Sequence, residues 1–160
     1  YAEMEKQGMT LSEVVTLASF VQEEAGNDQD DNVAQVFRNR LAESSPYPKL
    51  QSNTSSHVQS DADNNYLWNW VAPYYGGWDS IPENILEAYD TYARTGLSAG
   101  PISNPGIAAI RAALAPQPDD EAKDAYFFVT DLAGHYYYAR TYADHQKNCD
   151  EAAKVNKSMK

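Results

Sequence analysis

Apolar residues recur at helical spacing in the stretch TLSEVVTLASFVQEEAG, residues 10–26. The positions that share one face are Leu11, Val14, Val15, Ala18, Val21 and Ala25. Thr10 or Ser12 can cap the start of a helix, and Glu13 follows Thr10 at the spacing of a capping box. Gly26 is a typical residue at a helix end. The pattern therefore predicts one amphipathic helix that ends within a residue or two of Gly26.

Further helices are predicted from patterns of the same kind. One spans residues 28–44, where acidic residues precede an apolar face and suit the positive end of the helix dipole. Another begins at Pro105, with Asn104 as its cap. A terminal helix follows residue 140, and the stretch that starts at Glu83 holds a short one.

The remaining elements are a hairpin and a long irregular region. The sequence DAYFFVTDLAGHYYYAR indicates two strands around an Asp-Leu-Ala-Gly turn, with Tyr136 and Tyr138 on one face and Tyr137 on the other. Residues 45–66 lack a clean period, so we expect a polar loop with at most a short strand at 49–52. The aromatic stretch YLWNWVAPYYGGWDSIP indicates a flap or an insertion. Helices followed by a late antiparallel hairpin predict an α+β fold, with residues 1–160 forming a single domain.

Composition narrows the classes of function. A net charge of -11 argues against a nucleic-acid surface, which needs clustered Lys and Arg. The 12 Tyr and 3 Trp favour a ring-rich, hydrated surface of the kind that sugars and peptides contact. Cys149 is the only cysteine, so the chain forms no internal disulfide. No segment approaches the ~20 apolar residues of a membrane span. The chain opens on Tyr1, which indicates a piece of a longer protein.

Common motifs for metals, nucleotides and nucleophiles do not occur. The sequence contains no HExxH, CxxC, GxSxG or Walker loop. His57, His135 and His145 do not share a spacing typical of a metal site. We therefore expect neither a metal ion nor a cofactor.

The adjacent acids Glu23 and Glu24 are the strongest candidates for chemistry. On a helical wheel, Glu24 lies at the edge of the apolar stripe, one turn beyond Phe20, whereas Glu23 points away from the stripe. An apolar neighbourhood disfavours the charged carboxylate and so favours the protonated form that a general acid needs. Glu24 is therefore the candidate acid, although it could instead border the core and pair with an Arg. Glu23 is expected to be solvated.

Five segments resemble, in order, the catalytic domain of the MltG (YceG-like) endolytic murein transglycosylases. They are LASFVQEEAG, VAQVFRNRL, KLQSN, EAYDTYARTGLSAGPISNPGIAAIRAALAP and AYFFVTDLAGHYYYARTYADHQKN. The likeness extends from about Leu11 to the terminal helix. The family carries an E-K-E triplet, and its second acid, the catalytic glutamate, falls on Glu24. Its first acid falls on Gln22 and its Lys on Glu23.

The resemblance implies a membrane-anchored enzyme on the extracytoplasmic face of the bacterial membrane. Such enzymes cut the β-1,4 bond between N-acetylmuramic acid and N-acetylglucosamine in nascent glycan strands and leave a 1,6-anhydro end. Full-length members carry an N-terminal membrane helix and a LysM-like domain, so this chain is expected to be the catalytic piece. Its partners would be glycan strands and, potentially, proteins of cell-wall synthesis, whereas nucleic acid is not expected.

One acid is enough for this chemistry if the sugar's own 6-hydroxyl attacks the anomeric carbon. The remaining groove residues are predicted to be Arg40, Gln51, Ser52, Asn53, Tyr89, Tyr92 and Asn104, with Arg40 a candidate anion clamp. We expect Tyr89 and Tyr92 to lie nearer Glu24 than the tyrosine-rich strand does. The family usually reads LQTDPT where this chain reads LQSNTS, so Asn53 and Thr54 are departures that affect the groove.

Three alternatives stay open at this stage. The chain could be a wall-binding module that has lost activity, for which the change to Asn53 is the best support. It could be an interaction domain in wall elongation that docks through YLWNWVAPYYGGW. It could also be a hydrolase that uses the same groove and leaves reducing ends.

Overall fold

The computed structural model describes residues 1–26, 28–55 and 65–159, and it has the predicted α+β class. Its α-helices are α1 (Ala2–Gln7), α2 (Leu11–Glu24), α3 (Asp30–Leu41), α4 (Ala72–Tyr75), α5 (Glu83–Tyr89), α6 (Ile107–Leu114) and α7 (Tyr142–Ser158). The strands β1 (Phe127–Thr130) and β2 (Tyr136–Ala139) form an antiparallel pair. No helix in these described ranges is long and apolar enough to cross a membrane.

Helix α2 begins and ends where the sequence predicts. The Thr10 hydroxyl accepts a hydrogen bond from the Glu13 N–H (3.3 Å), and the Glu13 carboxylate accepts one from the Thr10 N–H (2.7 Å). The capping box is therefore complete. The helix ends at Glu24, and Ala25 has extended backbone angles that stop it.

The second half of α2 is buried on all sides rather than along one stripe. Every side chain from Thr16 to Val21 is buried, because α2 packs against both α3 and α6. The Ser19 hydroxyl donates to the Thr16 carbonyl (2.7 Å) and accepts from the Ile102 N–H (3.0 Å), so its polar groups are satisfied inside the core. The segment around Ile102 thus covers the side of the helix that a simple wheel leaves in water.

Helix α6 begins two residues later than predicted. Gly106 is its N-terminal cap residue and Ile107 its first residue, and no side chain caps it. The Gly106 N–H donates instead to the Gln22 side-chain oxygen on α2 (2.8 Å). The predicted cap, Asn104, therefore lies before the helix, with its side chain exposed.

The aromatic stretch folds as a chain of short helical turns. Leu67–Val71 is a π-helix, α4 follows it directly, and a 3₁₀ turn spans Trp78–Ser80. Asn65 starts it by accepting a hydrogen bond from the Trp68 N–H (3.0 Å). Residues 56–64, which belong to the predicted loop and include His57, lie outside the described residues. In place of the short strand considered at 49–52, Lys49 forms a single parallel bridge with Gly96.

The two predicted strands form an antiparallel hairpin around the predicted turn. Phe127 pairs with Ala139 and Thr130 with Tyr136, and α7 packs across both strands. The rings of Tyr136 and Tyr138 stack on one face, with centroids 6.2 Å apart. Tyr137 lies on the other face, where its hydroxyl donates to the Asp131 carboxylate (2.8 Å).

Candidate active site

A cleft opens at the C-terminal end of α2 and holds Glu24. We call it the Glu24 cleft, and its cavity volume is about 390 Å³. Its walls come from the end of α2, from α3, from the segment 50–54, from the loop before β1 and β1 itself, and from the start of α7. The predicted residues that line it are Glu24, Arg40, Gln51, Ser52, Asn53 and Tyr92. Segments that are distant in sequence therefore meet at the candidate acid.

Hydroxyl groups hold the Glu24 carboxylate. The Ser52 hydroxyl donates to Glu24 Oε1 at 2.5 Å, and the Thr54 hydroxyl lies 2.6 Å from that of Ser52. Because a serine hydroxyl has one hydrogen, which Ser52 gives to Glu24, Thr54 must be the donor to Ser52. Both hydroxyl side chains are buried. The arrangement fixes the direction of the carboxyl group at the floor of the cleft.

Thr91 positions Ser52. The Ser52 N–H donates to the Thr91 hydroxyl and the Ser52 carbonyl accepts from it, each at 3.1 Å. The Gln51 N–H donates to the Thr91 carbonyl at 3.1 Å. Gln51 itself has a left-handed backbone (φ 55°), which costs a non-glycine residue on the order of 1 kcal/mol. The bonds to Thr91 therefore hold a bend that turns Ser52 toward Glu24.

Tyr136 ties the hairpin to the end of α2. Its hydroxyl donates to the Glu24 carbonyl and accepts from the Gly26 N–H, each at 2.9 Å. The expectation that the tyrosine-rich strand lies farther from Glu24 than Tyr89 does is therefore wrong. The stacking of Tyr136 on Phe128 directs its hydroxyl along the sheet face to the helix end.

Arg40 lies in the wall of the cleft, but the protein uses most of its donors. Nε donates to the Tyr126 carbonyl (2.6 Å), and Nη1 donates to the Lys49 carbonyl (2.5 Å) and to Gln51 Oε1 (3.0 Å). The side chain is buried, and burial lowers the pKa of its guanidinium. The guanidinium also lies 4.9 Å from the centre of the Phe127 ring. Arg40 therefore acts first as a brace between α3, the 49–51 segment and the hairpin, and its predicted contact with substrate stays a prediction.

Tyr92 and His145 are two titratable side chains of the cleft whose shifted pKa values favour their uncharged forms. Burial raises the pKa of Tyr92, and the negative charge of Glu24 raises it further, so its phenol stays protonated at neutral pH and can donate. Burial lowers the pKa of His145, as does the positive charge of Arg40, which favours a neutral imidazole. Tyr92 is 41% exposed and so remains accessible to a ligand.

Glu23 does not point into bulk water as the wheel predicts. It is half-buried and borders the Glu24 cleft and a neighbouring cavity of about 460 Å³. We call this neighbour the Trp70 cleft, and it is lined by Glu23, Asn65, Tyr66, Asn69, Trp70, Pro101, Ile102, Ser103 and Asn104. The wheel fails here because it takes no account of the segments around Trp70 and Ser103, which form a cavity beside Glu23. The two clefts share Glu23 in their linings.

Two of the predicted groove residues lie away from Glu24. Tyr89, the last residue of α5, packs its ring on Tyr66 at 5.3 Å and contacts the hydrophobic core. It is absent from the described lining of the Glu24 cleft, whereas Tyr92 is turned into the cleft three residues later. Asn104 lines the Trp70 cleft instead, because α6 does not use it as a cap.

Sequence reasoning missed Thr54, Thr91 and Tyr136. Thr91 lies inside the family-like block EAYDTYARTGL, and this position could have identified it as a site residue. Thr54 was recognised only as a departure from the family pattern. Nothing in the strand pattern shows that the Tyr136 hydroxyl reaches a helix end that is distant in sequence. No group of His, Cys, Asp or Glu in the part of the chain that the structure describes could hold a metal ion.

Comparisons with known proteins agree with this architecture. The chain is 32% identical over 155 residues to the endolytic murein transglycosylase of Streptococcus pneumoniae, covering 94% of this chain and 25% of that protein. It is 29% identical over 148 residues to the endolytic murein transglycosylase of Bacillus subtilis, covering 91% and 36%. This chain thus spans between a quarter and about a third of these relatives.

A solved structure and a family model point the same way. The crystal structure of a yceG-like protein from Listeria monocytogenes superposes with a TM-score of 0.57 at 27% identity, over 91% of this chain and 41% of that one. The model of the YceG-like family matches residues 1–151. The chain therefore belongs to the YceG-like family.

Proposed function

We propose that this chain is the catalytic part of an endolytic murein transglycosylase, with Glu24 as its single acid and base. The names of the streptococcal and Bacillus relatives support peptidoglycan as the substrate. The observation that carries the proposal is the Glu24 carboxylate, which lines a cleft and is held by the buried Ser52 hydroxyl. The bond we propose is the β-1,4 link from N-acetylmuramic acid to N-acetylglucosamine, on the extracytoplasmic side of the membrane.

The distribution of acids favours a mechanism without a second carboxylate. Ordinary glycosidases place two carboxyl groups on opposite sides of the bond, about 5–9.5 Å apart. Among the described residues that line the Glu24 cleft, the only acids are Glu23 and Glu24, which are neighbours on the same helix end. The described lining therefore holds no acid that faces Glu24 across the cleft, which favours a nucleophile supplied by the substrate.

The proposed reaction uses the Glu24 carboxyl group twice, first as an acid and then as a base. Protonated Glu24 gives its proton to the bridging oxygen as the bond from the muramyl C1 to that oxygen breaks. The resulting carboxylate then takes the proton of the muramyl 6-hydroxyl while that oxygen bonds to C1. The 1,6-anhydro ring forms without water, and Glu24 ends in its starting state. Tyr92, protonated at neutral pH, is placed to donate a hydrogen bond to the sugar.

Glu24→Gln tests the proposal because glutamine keeps the shape of glutamate but cannot exchange a proton in this pH range. We expect release of anhydro-muropeptides from isolated sacculi to fall by at least about 10²–10⁴-fold, the usual contribution of general acid–base catalysis. The thermal midpoint should not fall, since removing a partly buried charge at a functional site relieves strain. Product ends are assigned by mass spectrometry.

The matched control is Glu43→Gln, which changes an exposed acid at the end of α3 outside both clefts. It should digest sacculi at the wild-type rate. Reducing ends instead of anhydro ends would identify a hydrolase. Retention on sacculi without products, in the wild type as in the variant, would identify a binding module and refute the catalytic role of Glu24.

A further inference from the structure

The Trp70 cleft carries an inference that rests on the proposed function and extends it. Its lining shares Glu23 with that of the Glu24 cleft, so the two clefts lie side by side next to the candidate acid. The proposed chemistry needs sugars on both sides of the bond that is cut. The Glu24 cleft has a volume of about 390 Å³ beside the acid. The site for the sugar on the other side of the bond is then still to be assigned.

One wall of the Trp70 cleft presents an indole ring to solvent. Trp70 is 72% exposed and makes no ring contact with any described residue. Its neighbours anchor the segment, because Leu67 is fully buried and Trp68 packs on Trp78 at 5.4 Å. The ring is carried by the Leu67–Val71 π-helix, and such turns occur frequently at functional sites.

The 102–104 segment of the cleft lining is polar and is hydrogen-bonded to α2. The Ser103 hydroxyl donates to the Ser19 carbonyl (3.1 Å), and the Ile102 N–H donates to the Ser19 hydroxyl (3.0 Å). Asn104 follows directly, and its exposed amide makes no hydrogen bond to any residue that the structure describes. The lining therefore combines an exposed ring with an exposed amide that can both donate and accept.

We propose that the Trp70 cleft binds an uncharged N-acetylhexosamine unit of the glycan, next to the bond that Glu24 cuts. The apolar face of a pyranose fits against the indole, and the Asn104 amide can pair with ring hydroxyls or with the acetamido group. Glu23 is the only charged residue in the described lining of this cleft, and it repels carboxylates. The neutral glucosamine residue thus belongs here, and the muramyl residue, whose C1 and 6-hydroxyl react at Glu24, belongs in the Glu24 cleft.

Titration with triacetylchitotriose tests this assignment apart from catalysis. The trimer is uncharged and contains no muramyl unit, so its binding does not require cleavage. Isothermal titration calorimetry should show binding to the wild-type chain and to Glu24→Gln alike. Trp70→Ala should weaken the affinity at least about tenfold, as expected for an aromatic anchor. Asn104→Ala should weaken it as well, and Trp70→Phe should lose less than Trp70→Ala.

Tyr74→Ala is the control, because Tyr74 is 83% exposed on the same aromatic segment but lines neither cleft. It should bind like the wild type. An affinity unchanged by Trp70→Ala, or no binding of the trimer at all, overturns the assignment.

Failure of this inference and failure of the proposed function look different. If the chain is not an enzyme but the cleft binds sugar, the trimer still binds and sacculi yield no anhydro ends. If the cleft serves another partner, such as a protein, then Trp70→Ala digests sacculi at the wild-type rate and the trimer gives no heat. The second result refutes the sugar assignment and leaves Glu24 untouched.

Discussion

At the scale of single residues, a chain of hydroxyl groups can serve both charge states of Glu24. With Glu24 ionised, Thr54 donates to Ser52 and Ser52 donates to Glu24. With Glu24 protonated, the two hydroxyl groups can turn and pass their hydrogens the other way, because each can donate and accept. A buried lysine in this place would stabilise only the carboxylate. Paired hydroxyls therefore suit an acid that must give up and recover a proton in each turnover.

Ser52→Ala removes the donor without adding bulk. A hydrogen bond to a charged group contributes about 1.5–3 kcal/mol, so we expect the rate to fall roughly 10- to 100-fold. Loss of the donor also favours protonated Glu24, the form that starts the reaction, so the alkaline limb of the pH–rate profile should move to higher pH. Sacculus digestion at a series of pH values measures both effects.

Ser44→Ala, at an exposed serine outside the Glu24 cleft, is the control and should match the wild type at every pH. A slower Ser52→Ala enzyme with an unmoved alkaline limb would mean that Ser52 only supports the local fold.

The sequence alone identified the candidate acid Glu24, but it did not identify Thr91 and Tyr136, which hold the site together. Helical spacing and the family-like QEEAG segment both lead to Glu24, because position on a helix follows from local periodicity. Thr91 and Tyr136 support the site through contacts between distant segments, and local periodicity contains no information about such contacts. The error about Glu23 has the same origin, since a wheel assumes one buried stripe, whereas contacts with distant segments bury α2 on all sides from Thr16 to Val21 and partly cover Glu23.

At the scale of elements, the turn of the hairpin depends on one buried carboxylate. Asp131 accepts hydrogen bonds from the N–H groups of Ala133 (2.9 Å) and His135 (3.0 Å) and from the Tyr137 hydroxyl. Burial alone would raise the pKa of Asp131, but the hydrogen bonds from His135 and Tyr137 outweigh it and leave the pKa lowered. The turn DLAGH is therefore specified by its first residue.

The lowered pKa of Asp131 predicts how stability depends on pH. A carboxyl group with a lower pKa in the folded state stabilises the fold above its unfolded pKa of about 3.9, and this contribution is lost as the pH falls through the folded value. We expect the thermal midpoint of the wild type to fall more between pH 7 and pH 3 than that of Asp131→Asn. Differential scanning calorimetry at both pH values measures the difference.

The comparison needs an exposed acid as a control. Asp79→Asn, in the 3₁₀ turn of the aromatic stretch, should keep the full pH dependence of the wild type. Equal pH dependence in Asp131→Asn and the wild type would show that the carboxylate contributes nothing to the hairpin.

Elements with a strong local pattern were predicted well. The capping box of α2, the acidic start of α3 and the two strands all appear at the predicted places. The start of α6 was displaced because the Gly106 N–H is bound by Gln22, a tertiary contact that local cap preferences do not include. The π-helix has no sequence signature of this kind, so the aromatic stretch could be described only as a flap or an insertion.

At the scale of the whole molecule, Arg40 connects three parts of the fold through hydrogen bonds of a single side chain. It reaches from α3 to the carbonyls of Lys49 and Tyr126 and lies over Phe127. The helical half, the segment that carries Ser52 and the hairpin are thereby joined at one buried cation. The α+β class followed from the order of the elements, but this junction did not, because FRNRL looks like a surface helix segment.

Arg40→Met keeps the length of the side chain and removes the donors. Each buried acceptor left without a partner costs about 1–3 kcal/mol, so we expect the free energy of unfolding to fall by roughly 3 kcal/mol or more. Equilibrium urea unfolding measures it. Arg111→Met, at an exposed position on α6, should change it by no more than about 0.5 kcal/mol. A similar small change for Arg40→Met would refute the bracing role.

The hydrogen bonds of the Tyr136 hydroxyl make it possible to measure how often the site around Glu24 opens. The Gly26 amide hydrogen is bound by a side chain 110 positions away in the sequence. It can exchange with deuterium only when the hairpin lifts from the end of α2, so its exchange rate reports how often Glu24 loses its surroundings. Slow exchange in the free chain describes a site that is complete before the glycan arrives. Fast exchange that slows when glycan is added describes a site that the glycan itself closes.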